Sequence, residues 1–177
     1  MADPKWLAEA RRLVGTREVP GAGNNPVIMA WGNRLGAKVL GIKYGADSVP
    51  WCGLFMAHCV SVAGLQPPPI AIRAKAWASW GIPLSLTETR PPLGAIAVFS
   101  REGGGHVAQV VAVHRDGSLV CLGGNQGDAV NERTFPRHPT RSRPDLKLVA
   151  LRWPAGAPLA PPAPWATVPG IKTTGEA

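Results

Sequence analysis

The run Leu54-Phe55-Met56-Ala57-His58-Cys59-Val60-Ser61-Val62 is apolar on almost every side of a helix, so the rest of the chain has to wrap around it. Pro50 sits just ahead of it, where a proline suits the approach to a helix but not its interior, and this places Cys52 in the first turn. Unpaired backbone N–H groups and the positive end of the helix dipole meet there, and both favour a thiolate over a thiol. An ordinary cysteine in a soluble protein is a small buried hydrophobe. One heading a helix is expected instead to be a nucleophile.

Around that helix, 177 residues are enough for one domain with a real core, and 21 glycines and 19 prolines make it rich in loops. The formal charge of +8 draws the chain towards a polyanion, whether nucleic acid, an anionic membrane face or an acidic bacterial wall. The basic residues are scattered, with neither a tight run nor an interleaved aromatic platform, which argues against nucleic acid. Cys52, Cys59 and Cys121 are odd in number and too few for a disulfide framework, and no pair has zinc-ligand spacing. No metal and no cofactor are expected. Met1-Ala-Asp-Pro-Lys-Trp6 lacks the basic start and apolar core of a signal peptide, and no run reaches transmembrane length, so action outside the cytoplasm needs another delivery route.

Taken in order, Asp3-Pro4 reads as the start of an amphipathic helix carrying Trp6, Leu7, Ala10, Leu13 and Val14, and Asn25-Pro26 starts a second one that Gly36 should end. The cysteine helix runs to about Gly64, and a short helix carrying Trp77 and Trp80 follows. Beyond Gly81 the pattern turns to strands. Leu93–Phe99 and His106–Val113 pair as a hairpin across Gly103-Gly-Gly105, and Ser118–Leu122, Ala129–Phe135 and Leu146–Trp153 continue a meander. Helices first and an antiparallel sheet second make an α+β domain over residues 1–153, and the period-free Pro/Ala-rich stretch 154–177 reads as a flexible or extended tail.

A cysteine nucleophile needs a base, and the base needs a group to hold its ring. Of four histidines, His106 is best placed, opening a strand after three glycines. His58 lies six residues past Cys52, near the opposite helical face, and reads as a packed or surface residue, whereas His114 and His138 fall in solvated turns.

Four blocks, Pro50-Trp51-Cys52-Gly53-Leu54-Phe55, Pro92–Phe99, Gly105–Val111 and Gly123-Gly124-Asn125-Gln126, resemble in order and spacing those of the CHAP and NlpC-type peptidoglycan hydrolases, and most of all the compact subgroup in phage-derived lysins and secreted wall peptidases. The resemblance implies a papain-like fold and cleavage of an amide bond in peptidoglycan, between the lactyl group and the stem peptide or within the peptide. It assigns Cys52 as nucleophile, His106 as general base and acid, and Asn125 as the residue that orients the ring, with Gln126 as the fallback. The acidic residue common two positions before that Asn is Gly123 here, and Ala95 stands where an Asp is common. Tyr44 is a candidate oxyanion donor, and Trp51 and Gln126 are candidate substrate contacts. Expected partners are peptidoglycan and an anionic envelope surface, with the protein a monomer. A deamidase or acyltransferase on the same fold and a basic wall-binding module without chemistry are the alternatives.

Overall fold

The computed structural model describes residues 2–167. Its order is α1 (Lys5–Arg12), α2 (Pro26–Leu40), α3 (Cys52–Val62), a 3-10 turn (Ala74–Ser79), then β1 (Ile82–Leu84), β2 (Ile96–Arg101), β3 (Gly104–Val113), β4 (Leu119–Gly123), β5 (Asn131–Phe135) and β6 (Lys147–Trp153). This is the expected α+β arrangement, with the helices packed on one six-stranded antiparallel sheet.

The apolar run does become a helix enclosed by the others. Every residue of α3 from Cys52 to Val60 is buried, between α1 and α2 on one side and β3 and β4 on the other. The caps of the flanking helices differ in part from expectation. Asn25 caps α2, its side chain accepting the Val27 N–H at 2.8 Å with Pro26 next in line. At α1 the cap position is Pro4, and Asp3 instead accepts from Arg11 Nε at 2.8 Å. Gly36 kinks α2 rather than ending it, and the chain resumes its helical path to Leu40 before Gly41 stops it with φ 81°.

The strands lie in the order β1-β6-β2-β3-β4-β5. The expected β2–β3 hairpin is present, with Phe99 opposite His106. The expected simple meander is not, because β6 leaves β5 and crosses to the far side of β2, where it also pairs with the short β1. Burial explains the crossing: Leu148, Ala150, Leu151 and Trp153 are all buried there, and Trp153 meets Trp6 of α1 edge to face at 5.1 Å.

Of the two readings of the stretch after Pro154, flexible or extended, the second describes it as far as residue 167. It runs extended along the domain: Leu93 N–H donates to Pro161 O, Ala163 N–H to Pro91 O, Val113 N–H to Pro164 O and Ala166 N–H to Val113 O, all at 2.7–2.9 Å. Ala163 is fully buried and Arg115 lies 4.2 Å over the Trp165 ring. A proline-rich strand has few N–H donors, and this one is held by the accepting carbonyls of Pro161 and Pro164 together with the N–H groups of Ala163 and Ala166. Residues 168–177 of the expected tail lie outside the described residues.

Candidate active site

Two features of β3 prepare the site. Val110 exchanges backbone bonds with Gly94 and Ala95 on the β2 side, so by alternation the backbone groups of Val107 point away from β2. On that side β4 pairs only from Gln109 onward, opposite Leu122, and the first residues of β3 are left splayed from it. The head of α3 enters this opening. Gly124 permits the approach, since a Cβ there would fall 2.6 Å from both Phe55 and Trp51.

Cys52, the first residue of α3, is 7 % exposed, whereas Cys59 and Cys121 are fully buried. All three are free thiols. The backbone N–H groups of Val107 and Gly53 lie near enough to the Cys52 sulfur to favour its thiolate, and Val107 is the residue next to His106. The expectation of a resting thiolate is not met: burial raises the Cys52 pKa and outweighs the lowering by those N–H groups and by the charge of Arg101. A helix N-terminus stabilises a thiolate by a modest amount, and desolvation of a buried sulfur is larger.

His106 stands at the start of β3, 8 % exposed, with its ring stacked on Phe135 at 5.2 Å; Phe135 in turn stacks on Phe99 at 4.8 Å. Burial lowers its pKa to about 4, so the resting ring is neutral. Its Nε2 lies 2.9 Å from Gln126 Oε1. The orientation of that amide follows from its other partners, because Gln126 Nε2 donates to Asn131 O at 2.6 Å and to Asn131 Oδ1 at 3.2 Å. Gln126 Oε1 can then only accept, so the His106 proton resides on Nε2 and the Nδ1 lone pair is left free.

Asn125, the expected orienting residue, makes no hydrogen bond to the ring. With its amide turned to satisfy both neighbours, its oxygen accepts the Trp51 N–H at 3.1 Å and its nitrogen donates to Glu18 Oε1 at 3.2 Å. The expectation rested on an extended chain after β4, with adjacent side chains on opposite faces. The chain instead turns there, with Asn125 at φ 56°, and the turn folds Gln126 back over Gly123. A Cβ on Gly123 would lie 2.9 Å from Gln126 Oε1. The Gln126 amide therefore fills the space of a side chain at position 123, where relatives by resemblance carry an acid.

Of the other candidates, Trp51 is fully buried and its indole donates to Glu18 Oε1 at 2.6 Å, so it is core and not a substrate surface. The Tyr44 hydroxyl donates to Val49 O at 3.1 Å, which commits its hydrogen away from an oxyanion. His58 is packed, as read: it stacks on Trp31 at 5.0 Å, and its ring nitrogens meet Glu9 Oε1 at 2.8 Å and the Arg34 guanidinium. His114 bonds Thr134 Oγ1 at 3.1 Å. Glu18 had no signal in the sequence. It lies in a turn-rich loop, and only the pairing of residues 15–18 with 128–130 brings it to the head of α3.

Two cavities flank the pair. One of about 400 Å³ exposes Cys52 among Val49, Ile72, Lys75 and the glycine turn. The other, of about 290 Å³, exposes His106 and Gln126. Arg101 lines both.

The combination of a helix-head cysteine with a neutral, oriented histidine on an adjoining sheet belongs to the amidases and peptidases that work through a thiol. The family model of the CHAP domain matches residues 44–125, a span that holds Cys52 and His106 and ends one residue before Gln126. Residues 44–125 thus match the CHAP domain, a member of an amidase/peptidase superfamily, and the α+β architecture is consistent with the papain-like fold of such domains. A CHAP match implies cysteine-dependent hydrolysis of peptidoglycan at the cell wall. No curated protein and no solved structure matches the chain. No described helix is long and apolar enough to cross a membrane.

Proposed function

We propose that the protein hydrolyses one amide bond of peptidoglycan, either N-acetylmuramoyl-L-alanine or a bond within the stem peptide, with Cys52 as nucleophile, His106 as base and acid, and Gln126 as the positioning residue. The observation that carries this reading is the Gln126–His106 bond, which leaves Nδ1 as the free basic nitrogen. As Cys52 Sγ attacks the carbonyl carbon, its proton passes to Nδ1, and the carbonyl oxygen becomes an oxyanion facing the N–H groups that open α3. The C–N bond then breaks while the imidazolium returns the proton to the amine. Water, deprotonated by the same nitrogen, releases the acyl group and restores the thiol. A neutral starting pair suits a buried site, since charges appear only once substrate has covered it.

Digestion of purified bacterial walls, with the soluble products read by mass spectrometry, tests the reading and names the bond. Wild-type protein should release amine-ended fragments, Cys52→Ala should release none while keeping its fold, and Cys59→Ala and Cys121→Ser should keep most activity. Gain of one mass unit, as a primary amide becomes an acid and ammonia leaves, or group exchange without release of fragments would favour the deamidase or acyltransferase alternative. Full release by Cys52→Ala would remove Cys52 from the mechanism.

A further inference from the structure

The cavity beside His106 is built from positive charge. Arg101, Arg133 and Arg143 all line it, and among the described residues none of the three forms an ion pair. The acid on its rim, Asp145, accepts the Glu102 N–H at 3.1 Å, across the β2–β3 turn, rather than pairing with a guanidinium. Two of the arginines lie against or next to the residues that hold the histidine. Arg143 lies 5.7 Å over the Phe135 ring, on which His106 stacks. Arg133 lies over the turn beyond Gln126, so close that a Cβ on Gly127 would stand 2.5 Å from its Nη2. Three guanidinium groups and one rim carboxylate leave the cavity with an excess of positive charge, and an anion entering it offsets that excess while accepting several N–H donors at once.

The side of the scissile bond follows from the chemistry. His106 must reach the departing nitrogen to protonate it, so the amine half of the substrate lies on the histidine's side, over this cavity, and the acyl half lies on the side of Cys52. Resting on the function proposed above, we infer that the cavity is a specificity site for the amine-side half of the substrate, and that it selects a peptide carrying free carboxylates within a few bonds of the scissile nitrogen. Neutral cross-bridges and stem peptides with amidated carboxyl groups are then poor substrates, whichever bond is cut.

The test compares two synthetic muramyl stem peptides, identical except that one has its carboxylates converted to primary amides. For the wild type, kcat/KM on the acidic peptide should exceed that on the amidated one by about 10- to 100-fold. In Arg133→Gln and Arg143→Gln that ratio should fall towards one, with the loss on the acidic peptide showing mainly in KM. Equal cleavage of the two peptides by the wild type would overturn the inference and leave the proposed function standing, as would variants that slow both peptides by the same factor. If the wild type cuts neither peptide and releases nothing from walls, the hydrolase reading is what fails. The cavity is then decided by calorimetric titration of Cys52→Ala with the acidic peptide: salt-sensitive binding that disappears in the added Arg133→Gln keeps it, and no binding ends it.

Discussion

Gln126 and Asn125 are neighbours with different partners, and mutating each should separate what they do. Gln126→Ala removes the acceptor at His106 Nε2, so the ring loses its tautomer and direction, and turnover should fall by about one to three orders of magnitude, roughly 1.4–4 kcal/mol of transition-state stabilisation. Asn125→Ala removes the bonds to Trp51 and Glu18 and puts a Cβ-bearing residue without a polar tip at positive φ, so it should act first on stability, by about 1–3 kcal/mol. Single-turnover rates and thermal melts on the two variants check this. A normal rate in Gln126→Ala would exclude it as the positioning residue. The histidine also sets a pH dependence. Its pKa is depressed in the folded state, so below pH 6.5 the unfolded chain binds a proton that the native one refuses, and stability rises with pH across that window. Stability should therefore be lost as pH falls from 6.5 towards 4, by at most about 3 kcal/mol from this group. His58 is depressed as well and adds to the same slope, while Glu9, lowered to about 2 by its bonds to Arg12 and His58, contributes stability that is lost between pH 4.5 and 2. Melting temperature against pH should fall through this range, and His106→Gln should flatten the upper part without abolishing it. An unchanged slope in that variant would mean the ring is not buried neutral.

Among the elements, the segment after β6 and the turn after β4 matter beyond their length. Four backbone bonds, the buried Ala163 and the Arg115–Trp165 stack hold residues 161–166 to the domain. At about 0.5–1.5 kcal/mol each, those bonds alone are worth roughly 2–6 kcal/mol, and removing them should lower the melting temperature by about 5–15 °C in a chain of this size. Deleting residues 155–177 and recording the melt checks it, and an unchanged midpoint would show that this strand contributes nothing. The turn after β4 is compact for a different reason. Gly123 and Gly124 are where Gln126 and α3 come closest to the backbone, so any side chain there displaces one or the other.

The molecule as a whole carries +8, and an anionic wall attracts it over a range that salt shortens to about 10 Å at 0.1 M. Wall binding and lysis should both weaken steadily as sodium chloride rises, while cleavage of a small soluble muropeptide changes less. A flat response of wall binding to salt would leave the surface charge without this role. What the sequence determined by itself was whatever depends on local pattern: the buried helix headed by Cys52, the Asn25-Pro26 helix start, the β2–β3 hairpin and the place of His106 near the start of β3. Each rests on periodicity, a cap or a turn within a few residues of itself. Only the tertiary structure decided the partner of His106, the crossing of β6, the docking of the Pro/Ala-rich strand and the protonation of Cys52. Those depend on which distant segments share a space: a glycine leaves room that another residue's amide fills, a sheet edge accepts a strand with few N–H donors, and burial by the whole fold outweighs the pull of a single helix end on a thiol.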